Sequence, residues 1–249
     1  MSRNFELLQS AGKSPDVFEP ERESEVPKLS VDDEVVPVQL EGAERNEIAK
    51  LVNRVFLVGA ESPRRVAFMG ADASTGCSRI CARSAELLAA SAAGRSVCVV
   101  DANLRAPTLH RHFGMQNQQG LADALLEASP IRKYITRLAG NKLALITAGS
   151  SVDGWQTLLG SQQMQTRISE LHREFDFVLI DIPPLSQSSG GIALAKMSDG
   201  VILVLKAHST RREVAQQVVS ELKSANVKML GAILNERRFP IPESIYQRL

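Results

Sequence analysis

Three oxygen-bearing side chains, Ser78, Asp101 and Asp181, each lie just beyond an apolar run and have the chemistry to share a divalent cation. Hydroxyl and carboxylate oxygens are hard donors of the kind magnesium takes, usually with phosphate oxygens and water completing the shell. Ser78 sits in FMGADASTGCSR, residues 68–79, where an apolar run meets a loop and then a helix-like run. That is the layout of a phosphate loop, G-x-x-x-x-G-K-[ST], with Thr75, Gly76, Cys77, Ser78 and Arg79 as the candidates to contact nucleotide. The position between Gly76 and Ser78, where the pattern has lysine, holds Cys77. Backbone amides and a helix N-terminus still attract phosphate without it. Losing one fixed electrostatic partner of a transition state costs ~10²–10³ in rate, about 3–4 kcal/mol. Arg79 substitutes for the lysine only if its side chain folds back past Ser78. Cys77 reads either as a reactive thiolate at a helix N-terminus, with Cys81 one turn on, or as a small neutral residue filling the lysine's place.

The elements that must position these residues follow from periodicity. Residues 43–57 place Ile48, Leu51, Val52, Val55 and Phe56 at helical spacing. After them, strand patterns at 65–70, 96–102, 143–149, 175–182, 200–207 and 227–235 alternate with helical patterns, notably 78–93, 161–175 and 212–225. Continuous Val, Ile and Leu runs alternating with helices predict an α/β fold, a doubly wound and mostly parallel sheet with helices on both faces. Ligands in such sheets bind at the carboxyl ends of the strands. Asp101 ends VVDANLR's strand and Asp181 ends VLIDIPP's, so both are expected at that end. A single aspartate there is more often turn chemistry; the triad with Ser78 argues for a metal.

Residues 1–42 are expected to form a disordered acidic arm, and 43–249 a single domain. The arm is rich in Pro, Glu, Ser and Asp. Residues 1–41 hold ten acidic and four basic side chains, leaving 25 basic and 18 acidic for the rest. Net charge is +1, so no nucleic-acid partner is expected. Three cysteines give no disulfide framework. No apolar run approaches the ~20 residues of a membrane helix, and the N-terminus lacks a basic-then-apolar signal. The expected location is cytoplasmic.

Longer motifs carry a resemblance. VVDANLRAPTLHRHFG, GLADALLE, FDFVLIDIPP and GVILVLKAHSTRREV resemble the CpsD/CapB family of bacterial tyrosine kinases, relatives of the MinD/ParA ATPases. The second family motif, D-x-D-x-R then P-x-L-H-x-x-F, is matched by Asp101, Asn103, Arg105, Pro107, Leu109, His110 and Phe113. The third, D-x-P-P, is matched by Asp181, Pro183 and Pro184. The resemblance implies a P-loop NTPase-like fold, ATP and Mg²⁺ as cofactors held by Ser78, Asp101 and Asp181, and Asn235 near the base. It implies a role in exopolysaccharide or capsule assembly beside a membrane co-polymerase or chain-length regulator, with recruitment to the inner face of the membrane and homo-oligomers as further options. The chain departs from the pattern at Cys77, at Asp72 (where MinD-like proteins carry a signature lysine), at Asn103 and at Gly190. The N-terminal E-x-x-R-x-x-R is reduced to Glu47, Lys50 and Asn53, with Arg54 out of step. Tyr134 and Tyr246 are its two tyrosines. The expected function is therefore a nucleotide-binding, catalytically impaired kinase homologue. The alternatives are an active tyrosine autokinase or ATPase and, more remotely, a MinD/ParA-like positioning factor.

Overall fold

Seven strands form one sheet in the order β3-β4-β2-β5-β1-β6-β7. They are β1 (Arg65–Gly70), β2 (Val97–Asp101), β3 (Thr136–Arg137), β4 (Leu143–Ile146), β5 (Phe177–Ile182), β6 (Gly200–Lys206) and β7 (Met229–Asn235). This computed structural model describes residues 42–59, 62–92, 94–138, 142–188 and 190–237. The acidic arm and Tyr246 lie outside the described residues. All pairings are parallel except β3 on β4. The doubly wound parallel sheet is thus present. The two-residue antiparallel β3 was not legible in the sequence because it is too short to show alternation.

Eight helices are described: α1 (Gly42–Val52), α2 (Cys77–Ser91), α3 (Leu109–His112), α4 (Leu121–Leu126), α5 (Trp155–Leu159), α6 (Gln162–Glu174), α7 (Gly190–Lys196) and α8 (Arg212–Ser224). Strand alternation sorts the core into two layers. Val66, Phe68, Val99 and Leu179 face α1 and α2, meeting Val52, Ile80, Cys81 and Leu88. Ala67, Met69, Val100 and Ile180 face the other way, against Leu121, Ile168, Leu194 and Val218. Each large apolar side chain so buried contributes about 1.5–3 kcal/mol. That fixes register, because a one-residue slip would swap the two faces of a strand. β1, β5 and β2 are buried along almost their whole length, so their carboxyl ends are held side by side. The helix read over 43–57 runs as α1 followed by a π-helical turn, Asn53–Leu57, that seats Phe56 in the core.

Candidate functional site

The central three strands deliver the three predicted oxygen donors to one place. Asp101 and Asp181 are direct register partners across β2 and β5, and both are almost completely buried. The Ser78 hydroxyl and the Cys77 thiol, both in the first turn of α2, face Asp181 closely enough to hold its pKa down. Burial outweighs them and pushes the Asp181 carboxyl up to about 6. Its Oδ2 is buried with no hydrogen-bond partner. Asp101 is likewise pushed well above the usual carboxylate range, first by burial and then by the charge of Asp181. It is the better satisfied of the two. Its Oδ1 accepts from the Asn103 amide at 3.2 Å and its Oδ2 from the Leu109 amide at 3.0 Å. Two buried carboxyls side by side with no cation between them resist double ionisation.

The loop over this pair is tightly turned. Ser74 (φ 58) and Gly76 (φ 79) both adopt the left-handed conformation, around a buried Thr75. Such alternation turns successive amides inward and makes an anion-binding concavity. At Gly70 an added Cβ would come within 2.5 Å of Thr75 Oγ1 and 2.8 Å of the Asp72 carbonyl. At Gly76 it would run into the Asn235 amide. Asn235, at the end of β7, donates through Nδ2 to the Thr75 carbonyl at 2.8 Å. It therefore braces the loop from the far side of β6.

The cationic side of the site is different. Cys77 is half-buried, and its thiol is raised well above its usual pKa by burial, by Asp181 and by Cys81. Cys81 is raised by burial and by both aspartates. These are neutral thiols, not thiolates. Arg79 turns away to ion-pair with Glu44 of α1 at 2.6 Å. Asp72 is exposed, accepting from the Ala73 amide and from Ser186 Oγ at 3.2 Å. Asn103 does not act as a second acid; its Oδ1 accepts from the Ala106 amide at 3.4 Å and closes the turn toward α3. Tyr134 is buried and donates to Glu127 at 2.6 Å. Sequence reasoning missed Glu44 and Ser186, since neither belongs to a motif and each acts only through a contact far away in the chain. Among the described residues, no three His, Cys, Asp or Glu side chains form a metal-binding group. Among them, too, no helix is long and apolar enough to cross a membrane.

Comparison with known proteins agrees with this geometry. The family model "Cellulose biosynthesis protein BcsQ" matches residues 64–225. Tyrosine-protein kinase YwqD of Bacillus subtilis (strain 168) is 30% identical over 145 residues, which is 58% of this chain and 61% of the relative. The succinoglycan biosynthesis transport protein ExoP of Rhizobium meliloti (strain 1021) is 32% identical over 197 residues, 78% of this chain and 25% of the relative. The chain therefore spans less than two thirds of either relative's length. Among solved structures, the kinase domain of Escherichia coli tyrosine kinase ETK superposes with TM-score 0.72 at 22% identity, covering 80% of this chain and 79% of that one. A ParA family ATPase from Chlorobium tepidum TLS gives TM-score 0.58 at 19% identity, covering 69% of this chain and 73% of that one. At these identities the structural matches establish the P-loop NTPase fold.

Proposed function

The chain belongs to the BcsQ family, and its kinship is with the CpsD/CapB family of bacterial tyrosine kinases; on that premise we propose that it binds magnesium–nucleotide weakly, transfers phosphate poorly and serves polysaccharide assembly chiefly as a nucleotide-responsive partner. The observation that carries this reading is the buried, unpartnered Asp181 Oδ2 beside the Ser78 hydroxyl, under a loop whose lysine position is Cys77. Ser78 and the two carboxylates fit a magnesium ion, which is held by few protein oxygens and completes its shell with phosphate and water. The ion would supply the positive charge that the aspartate pair lacks. The loop amides, shaped by Ser74 and Gly76, would bind the phosphates, and Asn235 would keep the loop in that shape. Cys77 offers a neutral thiol where a relative with lysine has a cation, so nothing at that position follows charge into the transition state. Binding survives this better than turnover does.

YwqD and ETK are named as tyrosine kinases and ExoP as a succinoglycan biosynthesis transport protein. By analogy, the partner here is a membrane-bound component that polymerises or exports polysaccharide. Tyr134 is unavailable as a phosphoacceptor in this fold because it is buried and bonded to Glu127, which leaves Tyr246 as the residue to watch. Calorimetric titration with Mg–ATP, followed by transfer of labelled phosphate, tests the reading. Weak binding with slow or no labelling is expected; rapid labelling of Tyr246 would establish the active-kinase alternative instead.

A further inference from the structure

The geometry points to Arg79 as the phosphate-binding cation of this site, held in reserve by Glu44. This rests on the nucleotide reading above, in which Arg79 is already a candidate, and adds to it Glu44 as the competitor that holds Arg79 away. Arg79 lies in the first turn of α2, two residues after Cys77, on the fifteen-residue helix whose N-terminus forms the cradle. Asp181, which faces the Ser78 and Cys77 side chains of that turn, keeps a buried Oδ2 with no hydrogen-bond partner, so a ligand group is wanted there. The Arg79 guanidinium is bonded to Glu44 Oε2 at 2.6 Å, with about half of its side chain and a third of that of Glu44 exposed. Glu44 stands in the first turn of α1, which packs along α2 through Val52, Ile80 and Leu88. A half-exposed pair of this kind holds weakly. An arginine fork meeting phosphate oxygens at a helix N-terminus is a stronger arrangement. Phosphate arriving in the cradle would thus draw Arg79 from Glu44, and α1 would lose one of its ties to α2. Arg83, one turn further along α2, is not available in the same way, since it is bonded to both carboxylate oxygens of Glu86 at 2.8 and 2.7 Å.

The test is calorimetric titration of Mg–ATP into the full chain and into E44Q, R79A and E44Q/R79A. Removing the competitor Glu44 should tighten binding about threefold. Removing Arg79 should weaken it about tenfold, and the double variant should behave as R79A does. The opposite signs separate this role from a merely structural one, because both single variants break the same ion pair. Equal binding by wild type and R79A, or a gain in E44Q that persists in the double variant, would overturn the role of Arg79 while leaving the nucleotide site standing. No binding by wild type or by E44Q would overturn both.

Discussion

The two ends of the sheet treat their aspartates in opposite ways. At the amino end, Asp199 receives the Arg64 and Arg65 amides at 2.9 and 2.8 Å and the Arg65 guanidinium at 2.6 Å. Burial pushes its pKa up, but the Arg65 side chain and the two amides outweigh that and leave it below its ordinary value. Asp176 nearby accepts from the Ser96 amide and hydroxyl and is also lowered, chiefly by that amide. At the carboxyl end, Asp101 and Asp181 are more deeply buried and are both raised. One end is internally neutralised and so stabilises the fold. The other holds two buried carboxyls with raised pKa values, a pattern common at functional sites.

The most forceful way to erase this contrast is to supply the missing cation. Cys77→Lys should raise phosphoryl turnover by ~10²–10³ if the cradle is otherwise competent, as read by product release from labelled ATP. It should also draw the Asp181 pKa back toward its ordinary value. An unchanged rate would mean that the loop, and not only its charge, has departed from catalysis.

Neutralising an aspartate at each end should have effects of opposite sign. Asp181→Asn should stabilise the unliganded protein at pH 7 by on the order of 2 kcal/mol, since it removes the cost of ionising a buried carboxyl. Asp199→Asn should destabilise it by about 1–2 kcal/mol through weakened charge-assisted bonds. Denaturant midpoints measure both.

The pH profile sharpens the same point. The folded-state pKa of Asp181, about 6 against an ordinary 3.8, means that the folded protein holds this proton more tightly than the unfolded chain. Its ionisation cost is absent below the unfolded value, sets in between the two and is full above the folded one. Stability should therefore rise as pH falls from 7 toward 5. Asp176 and Asp199 are lowered, so their contribution is present above the ordinary value and is lost as pH falls through their folded pKa values. Melting across this range should show a maximum near the crossover, and Asp181→Asn should reduce only the upper limb, which the raised Asp101 shares. The smallest effect is expected from Asn235→Ala, which removes one bond to the Thr75 carbonyl and should cost about 1 kcal/mol. That loss should be accompanied by faster amide exchange in the loop.

Much of this was legible in the sequence. The apolar runs at 65–70 and 175–182 contain the strands β1 and β5, buried from Val66 and from Phe177 onward, and a parallel sheet follows from them with Asp101 and Asp181 at its carboxyl end and Ser78 in the helix after β1. Which helix covers each face of those runs depends on packing from both sides and could be inferred only as a class. The destinations of long side chains were not legible. Arg79 was read as a possible phosphate ligand, but whether it folds back or crosses to Glu44 is decided by how α1 packs. Asn235 was read as near a base, and the structure places its amide on the Thr75 carbonyl. The state of Cys77 was also open, because a helix N-terminus favours a thiolate whereas Asp181 and burial oppose it. Only the assembled site shows that the latter prevail.

The central claim is that the buried aspartate pair is completed by magnesium–nucleotide. Its most direct test is calorimetric titration of ATP at pH 6, with and without Mg²⁺, in buffers of different ionisation enthalpy. The account predicts weak binding that requires Mg²⁺ and releases protons, because Asp181 and Asp101, both raised, must ionise to meet the metal. Binding of the same strength with the metal chelated, or Mg-dependent binding with no proton released, would contradict it.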